Sequence, residues 1–115
     1  MNDNIRNQTR LHHMLDAIYE LESYLKGRTF DLYQSDSMFR HACMSQLQII
    51  GEAANHLSVD FKASHSQVPW QSIVDLRNVM VHEYFNLDDE VIWEILEHQV
   101  PELEIVLKNI LNSLQ

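Results

Sequence analysis

Glycine and proline are scarce, with two of each in 115 residues. A chain of many β-hairpins needs far more turn residues, so the shortage excludes that class and favours a few long helices. Cysteine occurs once, as Cys43, which leaves no internal disulfide; a single thiol suits a reducing compartment. No apolar run approaches the ~20 residues of a membrane span. The opening stretch MNDNIRNQTR is too polar for a secretory signal. A cytoplasmic protein without membrane contact is therefore expected. Basic residues are few as well: 8 Lys and Arg against 17 Asp and Glu, a formal charge of −9. Such a surface repels phosphate backbones at long range. It removes the simplest case for a nucleic-acid carrier, and no DNA partner is expected, but chemistry in a local basic pocket remains open.

What is present is ordinary globular material, 45% apolar and 22% charged, enough for one domain over residues 1–115 with a real core. Leu11, Met14, Leu15, Ile18, Leu21 and Leu25 recur at helical spacing, and Gly27 is a natural stop. RTFDLYQSD reads as a helical turn or packed loop. A second helix starts at Asp36 or Ser37, either of which can cap it, and runs to about Leu57. Its GEAA at 51–54 lets another helix approach closely. SVDFKASHSQ is a break with one turn of its own. A third helix opens around VPWQSI, with Pro69 in the first turn. A fourth starts at NLDDE and continues through Leu114, and Pro101 should kink or split it. The expected fold is all-α, an antiparallel bundle of four to five helices. Between Asn86 and Leu107 lie seven acids and no Lys or Arg, a solvated face or a docking surface for a basic partner.

The informative stretch is RNVMVHEYF, residues 77–85. On an ideal helix with Ile73 at 0°, Arg77 falls at about 40°, amid Leu76, Met80, Val81, Val74 and Tyr84. A guanidinium on a buried stripe is expensive unless something meets it. Arg77 therefore has a protein partner, faces a cleft or lies at a subunit interface. Glu52 is a candidate countercharge. His82 lies about 140° around from Arg77, so the two serve one ligand only if the helix ends or bends between them, or if two copies cross near a two-fold axis. Glu83, Asp75 or Asn78 can orient the imidazole, Asn78 being four residues before it. Imidazole moves protons near neutrality and arginine grips phosphate, so the pair suits metal-free phosphodiester cleavage. The seven histidines show no ligand spacing, so no metal and no cofactor is expected. Tyr24, Tyr33, Trp70 and Trp93 read as core or interface anchors.

RNVMVHEY resembles the Arg-x4-His-x-Tyr form of the HEPN motif, with Arg77, His82 and Tyr84 in its positions and Asn78 as the polar residue after the arginine. The surrounding IIGEAANHLS, PWQSIVDLRN and DDEVIW extend the likeness over nearly the whole chain, which is similar to the HepT-like proteins. That resemblance implies a helical homodimer with the motif helix at its interface and metal-independent ribonuclease activity, with Arg77 and His82 of both chains lining a cleft. It implies the toxin of a toxin–antitoxin module, silenced by a minimal nucleotidyltransferase that transfers AMP to Tyr84. Glu52, Glu83 and Asn78 take supporting roles in this reading. Two other classes stand beside it: a non-enzymatic accessory subunit presenting substrate or nucleotide to a nucleotidyltransferase, and a helical scaffold in which Arg77 is an interface residue.

Overall fold

The computed structural model describes residues 3–114, without the side chain of Tyr84, and every long element in that span is helical. Helix α1 covers Asp3–Leu25 and buries Leu11, Met14, Leu15, Ile18 and Leu21 along one face. Gly27 follows at φ +73°, the left-handed conformation that ends a helix without a Cβ penalty. Thr29 then caps the short α2, Phe30–Ser35, and Asp36 caps α3, Ser37–Asn55, by accepting from the Phe39 N–H at 3.1 Å. Another short helix, α4 (Val59–Ser64), occupies the expected break. The motif helix α5 runs Trp70–His82, with Pro69 as its N-cap.

Helices α1 and α3 are antiparallel. Asn7, at the start of α1, bonds Ser58 beyond the end of α3, while Tyr24, near the end of α1, accepts from Gln46 within α3. Asn7 is buried and saturates Ser58 from two sides: its amide donates to Ser58 Oγ (3.2 Å) and its carbonyl accepts from Ser58 N–H (3.0 Å). Ser58 Oγ in turn caps α4 by accepting from Phe61 N–H. Replacing Asn7 by alanine strands these partners, and a buried unsatisfied donor costs about 1–3 kcal/mol. Asn7→Ala is therefore expected to lower the denaturation midpoint in urea with an unchanged slope; an unaltered midpoint would mean that water replaces the amide freely.

The final helix does not split at Pro101. It proceeds as α6 (Asp89–Glu94), one π turn (Ile95–Gln99) and α7 (Val100–Leu114). Pro101 has no N–H, and its ring would strike the carbonyl four residues back. The wider turn just before it absorbs that conflict, with Val100 N–H bonding Ile95 C=O five residues away. An aromatic cluster ties this segment to α2 and α3, with Tyr33 and Trp93 ring centroids 5.5 Å apart and Phe30 and Phe39 beside them. Among the described residues, no helix is long and apolar enough to cross a membrane.

Candidate functional site

Helix α5 packs against α3 through a close crossing at Gly51. An added Cβ there would stand 2.3 Å from Arg77 Cβ and 3.1 Å from the Ile73 carbonyl oxygen. The small-residue stretch thus does what its composition suggests: it brings the arginine's helix onto α3. One residue on, Glu52 Oε2 stands 3.0 Å from Arg77 Nη2. Arg77 Nη1 donates to Asn78 Oδ1, also at 3.0 Å. The guanidinium is thus held within its own chain by a carboxylate from α3 and an amide from α5.

This corrects the picture of a buried stripe. The Arg77 side chain keeps 31% of its surface. Of the stripe, Met80 is buried, Ile73, Val74 and Leu76 are half-buried against the core, and Val81 is exposed. The reason is one-sided packing. The far flank of the helix, with Ile73, Leu76 and Val79, borders an open groove of about 740 Å³ whose other wall is Val100, Leu103 and Val106.

His82 is the last residue of α5, and its ring is exposed. The helix is unbroken from Trp70 to His82, so no bend brings Arg77 and His82 together within one chain. Asn78 faces Arg77 rather than His82, and Asp75 accepts from Gln71 Nε2 at 2.8 Å. Glu83 has left the helix at φ −138°, ψ 34°, and a 3-10 turn, Tyr84–Asn86, follows. The helical wheel that set Tyr84 beside Arg77 therefore stops two residues short of it. The Tyr84 side chain itself lies outside the described residues.

Other reactive groups are unsuited to chemistry. Cys43 is buried, and desolvation pushes its thiol up to about 11, so it stays protonated and inert. Burial also raises the Tyr33 phenol above its ordinary range. No group of three or more His, Cys, Asp or Glu is placed to hold a metal ion among the described residues.

A protein-family model described as Ribonuclease HepT-like matches residues 14–110, which include Glu52, Arg77, His82 and Tyr84. The chain belongs to the HepT-like family. Its relatives include "Putative RNase TTE0752" of Caldanaerobacter subterraneus subsp. tengcongensis, 38% identical over 90% of this chain and 92% of its own length. "Putative RNase MJ0127" of Methanocaldococcus jannaschii is 33% identical over 87% of this chain and 86% of its own. "Probable ribonuclease HepT" of Thermococcus cleftensis is 30% identical over 82% and 86%. No solved structure matches.

For this HepT-like chain the fold adds one residue that sequence reading set aside. His56 Nε2 lies 2.9 Å from Glu52 Oε1, the other oxygen of the carboxylate that meets Arg77. The i,i+4 spacing of Glu52 and His56 was the available signal, but only the α3–α5 crossing joins that pair to the motif.

Proposed function

We propose that this HepT-like protein is a metal-independent ribonuclease, the toxin of a two-gene module, folded as a single domain and working as a homodimer. The observation that carries the reading is the state of Arg77. Two of its terminal nitrogens have intramolecular partners, yet a guanidinium has five N–H donors, and the group is about one-third exposed. It is fixed in place and still has donors for a phosphate. Its neighbours within one chain supply no imidazole from the motif, because His82 sits about 140° away on the same unbroken helix. A second copy supplies what one chain lacks: across a two-fold axis, Arg77 of one protomer meets His82 of its partner. The half-open apolar flank of α5 and the groove beside it support that helix as the dimer face in a bundle of this type.

In the cleavage step, a neutral imidazole takes the proton of the ribose 2′-OH. The 2′ oxygen bonds to phosphorus, the bond from phosphorus to the 5′ oxygen breaks, and that oxygen takes a proton from water, the imidazolium then returning its own proton to the solvent. Arg77 offsets the charge that gathers on the non-bridging oxygens. A charge of −9 confines RNA contact to this locality and suits a protein whose acidic α6 and α7 meet a basic partner.

That partner is a minimal nucleotidyltransferase, which transfers AMP from ATP to the Tyr84 hydroxyl with release of pyrophosphate. Tyr84 lies two residues from His82 on the turn that ends α5, where an added phosphate would obstruct the cleft. Tyr84→Phe is expected to cleave RNA in EDTA as the parent does and to continue when the partner and ATP are added, whereas the parent stops. Full protection of the phenylalanine variant would remove Tyr84 as the acceptor. RNA left intact by the parent, with nucleotide still bound, would favour the accessory-subunit function instead.

A further inference from the structure

We infer that His56 is a positioning residue of the ribonuclease site, acting through Glu52 to hold the Arg77 guanidinium in one plane; the inference deepens the ribonuclease reading and rests on it. The contacts form a chain: His56 Nε2 to Glu52 Oε1 at 2.9 Å, Glu52 Oε2 to Arg77 Nη2 at 3.0 Å, and Arg77 Nη1 to Asn78 Oδ1 at 3.0 Å. A carboxylate only accepts, so the ring donates from Nε2.

The need for His56 follows from the exposure of Glu52. Its side chain keeps 46% of its surface, and a glutamate that open samples many rotamers, so a single surface ion pair to Arg77 is weak and loosely oriented. Pinning one oxygen from the same helix removes much of that freedom. Glu52 precedes His56 by four residues, so the two side chains meet on one face of α3. His56 is itself anchored as the α3 C-cap, its N–H bonded to the Ala53 and Ala54 carbonyls. The remaining oxygen of Glu52 then presents a fixed acceptor to Arg77, while the Gly51 crossing fixes where the arginine's stem begins. A guanidinium that grips a transition-state phosphate works through its orientation, and small misplacements are expensive.

The bland alternative is a helix-end pair that only steadies α3. The test separates the two with readouts that do not depend on fold stability. In nuclear magnetic resonance spectra of the dimer, the Arg77 Nη protons should be resolved in the parent, reporting slow rotation, and averaged in His56→Ala. His56→Ala should lower kcat for RNA cleavage about tenfold with KM little changed. His56→Gln, whose amide still donates to Glu52, should restore most of both. In a Glu52→Gln background, His56→Ala should add almost nothing, because the two act in series. A lower melting temperature with unaltered Arg77 signals and kcat would reduce His56 to a helix-end residue and overturn the inference. A loss of kcat that glutamine cannot restore would overturn it in favour of direct proton transfer. If the parent does not cleave RNA at all, the ribonuclease reading fails, while the Arg77 spectra still decide whether His56 orients the arginine.

Discussion

Arg77→Ala is expected to abolish measurable RNA cleavage, a fall of about a hundred- to a thousandfold as when one oriented anion donor is removed, while the melting temperature stays within a few degrees of the parent. The separation comes from the setting of the residue. Arg77 is about one-third exposed, and its ion pair with Glu52 is an exposed one, of a kind that contributes about 1 kcal/mol or less. Alanine also keeps the Cβ that packs against Gly51, so the α3–α5 crossing survives. His82→Ala should be similarly inactive, since general acid–base groups contribute about 10²–10⁴. The decisive measurement mixes the two inactive variants. If each site takes Arg77 from one protomer and His82 from its partner, a mixed dimer holds one intact site. Random exchange makes half the dimers mixed, so about a quarter of the parent activity should return. No recovery, with exchange confirmed, would place both residues of the working site on one chain.

How far the sequence revealed this site depends on which kind of interaction placed each residue. Local chemistry was legible. Asp36 caps α3 and Gly27 takes a positive φ because these depend on one or two residues. The GEAA stretch revealed a close helix approach because small side chains leave only one use for the space. Glu52 was a named candidate partner for Arg77, and the two are in contact. Less legible was anything set by where an element stops or by what covers it. The wheel carried the helix through Tyr84, but the helix ends at His82, so the place it gave Tyr84 beside Arg77 does not apply. The stripe on α5 looked buried because its residues are apolar; in one chain its outer flank faces an open groove. Pro101 carried a correct warning of conflict, yet its resolution by a π turn rather than a break depends on the helix being held on both sides of it. His56 escaped notice because its role exists only once α3 and α5 cross.

That crossing is the feature on which the second large prediction rests. Gly51→Ala should destabilise the protein and inactivate it together, the opposite of the separation expected for Arg77→Ala. Two effects compete. Alanine favours a helix over glycine by about 1 kcal/mol, which alone would raise the melting temperature. Against it, the new methyl would lie 2.3 Å from Arg77 Cβ, 3.0 Å from Arg77 Cγ and 3.1 Å from the Ile73 carbonyl oxygen. The first and last of these belong to the stem and backbone of α5, not to the tip of a mobile side chain, so no rotamer change relieves them and the helices have to separate. Overpacking of this kind costs about 1–3 kcal/mol and occasionally more. Its upper range applies here because a whole helix has to move, so the steric term wins. The net loss of about 2 kcal/mol corresponds to a fall of roughly 5–10 °C for a chain of this size. The activity falls further than the stability, because separating α3 from α5 lengthens the Glu52–Arg77 contact and withdraws the guanidinium from the place where His56 and Asn78 help to hold it. Gly51→Ser carries the same Cβ and should behave alike, which rules out a peculiarity of alanine. A higher melting temperature in Gly51→Ala, with RNA cleavage intact, would show that the helices stand farther apart than this and that the arginine needs no such crossing.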